Sequence, residues 1–206
     1  MDADLWDQRY AEAELVWSAE PNVWVAQVTA DLPPGRVLDL AAGEGRNALW
    51  LAGRGWTATA VDFSPVALDR ARRLAAEQHV DGRLATVRAD LATFSPEPSA
   101  YDLVLLVYLQ VGPALRSRSV LSAAAAVAPG GRLAVVAHDS DNPVHGYGGP
   151  SDPGVLYSAA DVTADLAPSG LVVDRADRVV RRVETPEGQR EALDALVVAR
   201  RPRHGI

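Results

Sequence analysis

The stretch Val37–Asn47, VLDLAAGEGRN, joins an apolar run that contains a carboxylate to a turn interrupted by glycines. Gly43 and Gly45 lack a Cβ, so the backbone can bend sharply there and a ligand can lie against it. The following residues, Asn47–Ala52, predict a helix whose first N–H groups point toward the same place. Asp39 lies four residues before Gly43, and its charge suits a ligand that carries a positive charge or hydroxyls. The stretch therefore predicts a strand, a turn and a helix that build a small-molecule site.

The same turn also fits the dinucleotide-binding pattern, in which spaced glycines and a third glycine or alanine place a pyrophosphate at a helix start. Gly43, Gly45 and Ala48 satisfy that spacing. The pattern alone does not select the ligand, because a turn between a strand and a helix also uses glycine for packing. The choice between a dinucleotide and another ligand depends on the rest of the chain.

The composition restricts the chemistry that the chain can perform. Its 206 residues suffice for one α/β domain and leave no room for a separate substrate domain. The absence of cysteine excludes disulfides, thiolate nucleophiles and zinc–thiolate sites. All 20 basic residues are arginine, which also excludes a Schiff base and a phosphate-loop lysine. A net charge of -7 argues against a nucleic-acid partner.

The chain shows no sign of export or membrane insertion. Its start, Met1–Asp7, is acidic and unlike a secretory signal. No apolar run approaches the roughly 18 residues that span a membrane. We therefore expect a soluble, cytoplasmic protein with no membrane partner, and the sequence is compatible with either a monomer or a homodimer.

Apolar runs and helical segments alternate after the Pro33–Gly35 break. The apolar runs lack polar alternation, which is typical of buried parallel strands. The predicted strands are Arg36–Ala41, Thr57–Asp62, Arg83–Ala89, Tyr101–Tyr108 and Gly131–His138, and the predicted helices between them are Asn47–Gly53, Pro65–Gln78 and Pro113–Ala128. Ser64 and Pro65 predict a capped helix start, and a capping box at Ser158 predicts a later helix.

The two ends of the chain complete the predicted fold. Two short helices, Ala3–Glu14 and Pro21–Leu32, are expected in an N-terminal segment over residues 1–35. Leu171–Val183 and Arg190–Arg200 flank a turn sequence and predict a closing hairpin. We therefore expect an α/β fold over residues 36–206: a doubly wound, mostly parallel seven-stranded sheet with an antiparallel C-terminal strand, in a single domain.

Three carboxylates follow the predicted strands at the sheet edge where open parallel sheets bind their ligands. Asp62 lies 19 residues after Gly43 and can accept hydrogen bonds from both hydroxyls of a ribose. Asp90 could accept from an exocyclic adenine amine or could cap a turn. Asp39 separates the candidate ligands, because it would repel a pyrophosphate and attract a sulfonium or an α-amino group.

Asp39–Gly45, Val61–Ser64, Ala89–Leu91 and the terminal hairpin together resemble class I S-adenosylmethionine-dependent methyltransferases over roughly residues 36–200. Gly45-Arg46-Asn47 and the N-terminal Trp6-Asp7-Gln8-Arg9-Tyr10 resemble the small-molecule branch that includes thiopurine and tellurite-resistance methyltransferases. Ala41 stands where many members have glycine, and its methyl group narrows the room beside the methionine part. The resemblance implies a Rossmann-like methyltransferase fold with S-adenosylmethionine as the cofactor.

The resemblance also implies roles for individual residues. The two glycines would pass under the methionine and the ribose, Asp62 would hold the ribose, and Asp90 and Leu91 would meet the adenine. The N-terminal segment would close over the site as a lid. The candidate cofactor-binding residues are Trp6, Arg9, Tyr10, Trp17, Asp39, Ala41, Gly43, Gly45, Arg46, Asn47, Asp62, Phe63, Ser64, Asp90, Leu91 and Val107.

A methyl acceptor that is a hydroxyl needs a base, whereas a thiol or a neutral amine needs little help. His138, at the end of the fifth strand, and His145, in the loop that follows, are the candidate bases. Asp139 and Tyr108 are the other candidate catalytic residues, since they fall at the same sheet edge. Asp139 and Asp141 could instead hold a divalent metal that orients hydroxyls.

The polar and aromatic residues at this edge favour a small polar acceptor with a hydroxyl. The sequence is also similar to small actinobacterial sugar O-methyltransferases of the methylmannose polysaccharide type, which implies a mannoside-like sugar. N- or S-methylation of a heteroaromatic compound or a metalloid is the alternative within the class. A nicotinamide-dependent reductase and a non-catalytic cofactor-binding regulator are alternatives outside it.

Overall fold

A computed structural model describes residues 20–203 of the chain. The predicted helix Ala3–Glu14 and the candidates Trp6, Arg9, Tyr10 and Trp17 lie outside the described residues. Seven strands form one sheet, and they are β1 (Arg36–Leu40), β2 (Thr57–Asp62), β3 (Leu84–Arg88), β4 (Tyr101–Val107), β5 (Val127–His138), β6 (Val172–Thr185) and β7 (Gly188–Arg200). Their order across the sheet is β3-β2-β1-β4-β5-β7-β6.

The strand directions confirm the predicted fold class. Strands β1 to β5 pair in parallel. Strand β7 runs antiparallel to both β5 and β6. The described part of the chain is therefore a mostly parallel, doubly wound sheet whose last strand is reversed.

Helices on both faces of the sheet connect the strands. They are α1 (Val23–Thr29), α2 (Arg46–Ala52), α3 (Pro65–Glu77), α4 (Pro113–Ala126), α5 (Asn142–His145) and α6 (Ala159–Leu166). The predicted caps are present: the Ser64 hydroxyl accepts a hydrogen bond from the Ala67 amide at the start of α3, and Ser158 and Asp161 form a capping box on α6. None of the described helices is long and apolar enough to cross a membrane.

Several predicted boundaries differ from the structure, and two of the differences have identifiable reasons. The fourth strand does not include Tyr108, because this residue has a left-handed backbone (φ +57°) that breaks the extended conformation. The helix predicted to reach Ala128 ends at Ala126, and Val127 already pairs with Tyr101 in the sheet. The apolar residues around Val127 suit a buried helix and a buried strand equally well.

The sheet is apolar on both faces because helices cover both of them. Leu38 and Leu40 of β1 join one buried cluster, and Val37 joins the cluster on the opposite face. Burial on both sides explains why the strands lack polar alternation. Asp39 is the exception in β1, with only 1% of its surface exposed.

The terminal hairpin extends past the carboxyl end of β5. Strand β7 pairs with β5 only from Asp194 to Arg200, and the last pair is His138 with Asp194. The remaining paired residues, 180–185 of β6 and 188–193 of β7, form an extension that we call the hairpin arm. The loop after β5 is fastened to the arm because the Leu193 amide donates to Oδ1 of Asn142 (2.7 Å). The hairpin arm and the loop after β5 thus both extend beyond the carboxyl edge of the sheet.

Candidate functional site

A cavity of about 990 Å³ lies at the carboxyl edge of the strands. Its volume is at the upper end of the range of pockets that hold drug-sized ligands. We divide the lining into a glycine-turn half (Ala41, Ala42, Gly43, Arg46, Asn47, Asp62 and Phe63) and a histidine half. The histidine half consists of Pro21, Asn22, Val23, Trp24, Val107, Tyr108, Leu109, Gln110, His138, Tyr147, Gly148, Gly149, Pro150, Val155, Val180, Arg181, Arg182 and Val183.

The glycine turn has the sharp backbone that its sequence predicts. Gly43 and Gly45 have φ angles of +55° and +76°, in the left-handed region that favours glycine. A Cβ on Gly45 would also lie 3.1 Å from the Cβ of Ala71 on α3. Ala41 has a φ of +57°, so the position where the resembled family often has glycine is strained in this chain.

Asp62 braces the turn from the end of β2. Its carboxylate accepts hydrogen bonds from the backbone amides of Gly43 (2.8 Å) and Ser64 (2.9 Å). The side chain is 5% exposed and lines the cavity. Asp62 therefore presents a carboxylate to the ligand while it fixes the backbone on which that ligand would rest.

Asp39 lies behind the cavity wall. Its Oδ2 atom is buried and has no hydrogen-bond partner among residues 20–203. Burial raises the pKa of Asp39 from 3.8 to about 7, although a hydrogen bond from the Ala48 amide and the nearby charge of Arg46 lower it. This carboxyl group is thus held at a cost in solvation, and the charge of Arg46, which lines the cavity, acts on it.

Asn47 joins the glycine turn to α1. Its Oδ1 atom accepts a hydrogen bond from the Asn22 amide (2.9 Å), and Oδ1 of Asn22 accepts from the Trp24 amide (2.9 Å) to cap α1. Both asparagines are buried. The chain before β1 is therefore attached to the glycine turn and reaches across to the histidine half.

Several predicted cofactor residues lie away from the cavity lining. Asp90 is exposed and accepts a hydrogen bond from the Ala92 amide (2.8 Å), which is the turn-capping role that the sequence left open. Leu91 packs against the core, and the Ser64 hydroxyl caps α3. The structure brings Phe63 and Val107 into the lining. It leaves outside it Asp39, Gly45, Ser64, Asp90 and Leu91. Their predicted contacts with a cofactor stay predictions.

Two of the predicted catalytic residues also lie outside the lining. His145 is exposed at the end of α5. Asp139 is buried and faces Arg178, whose Nε lies 3.2 Å from its Oδ1. Arg178 also pairs with Asp141. A guanidinium therefore occupies the place of the proposed metal, and the described residues contain no cluster of three metal-ligating side chains.

His138 lies in the wall of the histidine half. Its ring stacks on Tyr108 with centroids 4.6 Å apart, and its amide donates to Oε1 of Gln110 (2.9 Å). A Cβ on Gly149 would come within 2.9 Å of the ring, so the glycine backbone packs against the imidazole. Burial lowers the pKa of His138, Asp194 raises it and Arg181 lowers it again. The imidazole is accordingly neutral at neutral pH and able to accept a proton.

Tyr108 supports the histidine rather than serving as a base. Its hydroxyl donates a hydrogen bond to Oδ2 of Asp194 (3.0 Å). Burial raises the pKa of Tyr108, and the neighbouring Asp194 charge raises it further. The phenol therefore stays protonated, and its ring forms a platform for His138.

The sequence analysis missed Asp194 and two residues of the lining that bond to it, Trp24 and Arg181. Asp194 is 0% exposed in β7 and accepts hydrogen bonds from Trp24 (2.9 Å), Tyr108 (3.0 Å) and Arg181 (2.8 Å). The available signal was a single carboxylate inside the apolar run Ala192–Ala199, ALDALVVA. A buried charge in such a run requires partners, and partners this distant in sequence cannot be read from spacing.

Comparison with protein families identifies the central part of the chain. Residues 37–131 match the family model of a methyltransferase domain. This segment begins with β1 and includes the glycine turn, Asp62 and Tyr108. No curated protein matches the chain in sequence.

Solved structures extend the likeness to the whole described fold. A structure from work on the conversion of a disulfide bond into a thioacetal group during echinomycin biosynthesis has a TM-score of 0.77 at 22% identity, covering 98% of this chain and 93% of that chain. An S-adenosylmethionine-dependent methyltransferase from Methanosarcina mazei has a TM-score of 0.69 at 16% identity, covering 90% of this chain and 100% of that chain. SibL, an S-adenosylmethionine-dependent methyltransferase in its apo form, has a TM-score of 0.65 at 28% identity, covering 88% of this chain and 54% of that chain.

Proposed function

We propose that the chain is a class I S-adenosylmethionine-dependent methyltransferase that methylates a hydroxyl of a small polar acceptor such as a sugar. The observation that carries this proposal is His138, which lines the same cavity as the glycine turn and whose pKa is lowered by burial. A hydroxyl acceptor requires a base of this kind. A nicotinamide-dependent reductase loses its support, because the matched domain is that of a methyltransferase.

The glycine-turn half fits the cofactor. Gly43 lines the cavity and leaves room for a ligand against the backbone, and Asp62 offers a carboxylate for the ribose hydroxyls. The buried, unpartnered Oδ2 of Asp39 supplies negative charge beneath the turn, where a sulfonium or an α-amino group would be attracted. Arg46 lines the cavity next to this carboxyl group and would pair with the carboxylate of the methionine part.

The histidine half would hold the acceptor. Its polar side chains include Gln110 and Tyr147, and Trp24 and Tyr108 add aromatic faces. This mixture suits a sugar or a phenol, because aromatic faces pack on ring carbons while the polar groups orient the hydroxyls. We further propose that α1 is part of a lid over the cavity, since it is fastened to the glycine turn through Asn22 and Asn47.

The reaction needs the acceptor oxygen to lose a proton as it gains a methyl group. The bound cofactor supplies an electrophilic methyl group on a sulfonium. His138 would take the proton as the O–H bond breaks, while the new C–O bond forms and the S–C bond breaks. His138 then returns the proton to solvent. The protein thus contributes position and a base, and nothing is oxidised or reduced.

The test is a screen for a product that is heavier by one CH₂, made from S-adenosylmethionine and a panel of sugars and phenols. We expect His138→Ala to lower turnover by about 10²–10⁴-fold, the usual contribution of a general base, without loss of S-adenosylhomocysteine binding. His145→Ala is the matched control, because this histidine is exposed outside the cavity lining, and it should keep full turnover.

Two outcomes would contradict the proposal. Full turnover of His138→Ala would favour N- or S-methylation of a heteroaromatic compound or a metalloid, which needs no base. Binding of S-adenosylhomocysteine by a protein that methylates no member of a wide panel would favour a cofactor-binding regulator.

A further inference from the structure

Asp194 is a fully buried carboxylate in the centre of the apolar strand β7. Burying an ionised carboxylate is costly unless hydrogen bonds and a counter-ion compensate for the lost water. Its Oδ2 accepts from the Trp24 indole, the Tyr108 hydroxyl and the Arg181 guanidinium, all within 3.0 Å. Three donors therefore compensate for the burial of this carboxyl group, and all three belong to residues that line the cavity.

The three donors come from three separate elements that meet only at the cavity. Trp24 belongs to α1, Tyr108 follows β4, and Arg181 lies on the hairpin arm. Each of them lines the histidine half. The other oxygen of Asp194, Oδ1, lies 3.7 Å from Nδ1 of His138, which is buried and has no hydrogen-bond partner in the described part of the chain.

We propose that Asp194 is the positioning residue of the acceptor site. Its Oδ2 atom accepts hydrogen bonds from α1, from the residue after β4 and from the hairpin arm, and so holds these three elements together at the cavity. The other oxygen faces Nδ1 of His138, which leaves Nε2 as the nitrogen that meets the acceptor. This inference rests on the proposed function, because it assigns to Asp194 the electrostatic support of the base in that reaction.

The physical role of Asp194 is to stabilise the protonated imidazole as the reaction proceeds. A carboxylate at this distance attracts an imidazolium and leaves a neutral ring nearly unaffected. Arg181, on the adjacent strand, opposes this attraction, and Tyr108 contributes a neutral donor. Asp194 therefore makes His138 a stronger base, against the effects of burial and Arg181, which both lower its pKa.

The experiment follows the His138 imidazole by NMR across pH in the S-adenosylhomocysteine complex, where no turnover is needed. The His138 signal is assigned from its absence in His138→Gln. We expect Asp194→Asn to lower the pH of half-titration by on the order of one unit, because an attractive charge is lost while Arg181 remains. Asp165→Asn is the matched control: it removes the carboxylate partner of the buried Arg116 (2.7 Å) away from the cavity, and His138 should titrate as in the wild type.

Tyr108→Phe gives a second test if Asp194→Asn does not fold. It keeps the ring that stacks on His138 and removes one donor to Asp194, so the less compensated carboxylate should raise the pH of half-titration. The positioning role is wrong if His138 titrates identically in wild type and Asp194→Asn, if Asp165→Asn shifts it equally, or if Tyr108→Phe lowers the midpoint. Where the shifts have the expected signs and His138→Ala still turns over, Asp194 controls the titration of His138, and the general-base function fails.

Discussion

The two halves of the cavity are assembled in different ways. The glycine-turn half comes from one continuous stretch, residues 41–63, in which backbone amides and a strand-end carboxylate form the surface. The histidine half meets around Asp194, whose hydrogen-bond partners are up to 170 positions away in the chain. A local surface of backbone can be shared by many sequences, whereas an assembly of single side chains is particular to one chain. Substitutions in the glycine-turn half should therefore affect mainly the proposed cofactor binding, and those in the histidine half mainly the choice of acceptor.

The largest effect is expected at Asp62, on which the glycine-turn half depends. Asp62→Ala removes the acceptor for the Gly43 and Ser64 amides as well as the proposed ribose contact. Hydrogen bonds to a charged group are worth about 1.5–3 kcal/mol each, so S-adenosylhomocysteine should bind at least about 100-fold more weakly by calorimetry. The acceptor preference that remains at saturating cofactor should be unchanged.

Asp90→Ala is the comparison for that measurement. Asp90 is exposed outside the cavity lining, so we expect its removal to weaken binding by no more than about fivefold, the energy of one neutral hydrogen bond. Equal losses in the two variants would place the adenine against Asp90, as the family resemblance implies. An Asp62→Ala protein with normal affinity would remove the assignment of the glycine-turn half to the cofactor.

Asp39→Asn tests how much stability the protein loses by burying a carboxylate next to the glycine-turn half. Because the folded pKa of Asp39, about 7, lies above its ordinary value of 3.8, the folded state binds a proton more tightly than the unfolded state does. The wild type should therefore lose stability as pH rises from about 4 to about 7, with no further loss from this group above that. The amide avoids the charge, and we expect the apo variant to be more stable by up to about 4 kcal/mol at pH 8 and nearly unchanged at pH 4.

Urea unfolding of both proteins at pH 4 and pH 8 measures this difference in the free energy of unfolding. Because the two proteins share every other titrating group, the difference between them isolates the contribution of Asp39. S-adenosylhomocysteine should bind the variant more weakly, because the negative charge that attracts the methionine part is gone. A variant that is less stable than the wild type at pH 8 would show that Asp39 is compensated in the folded protein.

The predictability of each half follows from the same contrast. The strands, the reversed last strand and the glycine turn could be predicted, because apolar runs, turn residues and caps act over short distances. The place of Asp194 could not, since the packing of the hairpin arm decides which side chains meet there. The placing of Asp90 and His145 in the site was also based on chain position, and the structure leaves both outside the cavity lining.

A smaller effect is expected at Gly149, on the histidine side. An alanine there would place its Cβ within 2.9 Å of His138 and displace the imidazole, so turnover should fall about tenfold with cofactor affinity preserved. Gly148→Ala is a close control, because its φ of +70° resembles the +83° of Gly149 and its Cβ would meet no atom within 4 Å. Equal kinetic losses in the two variants would indicate backbone strain, and only a loss confined to Gly149→Ala supports a fixed histidine.

The smallest effect concerns the link between the halves. Asn47→Ala leaves the buried Asn22 amide without its acceptor, at a cost of about 1 kcal/mol. Because Trp24 follows on the same helix and donates to Asp194, the loosened helix should raise the KM of the acceptor about fivefold along with the Kd of the cofactor. Asn47→Asp retains an acceptor oxygen and should restore most of both losses. If only cofactor affinity changes, the two halves act independently, and α1 does not transmit the state of the glycine turn to the acceptor site.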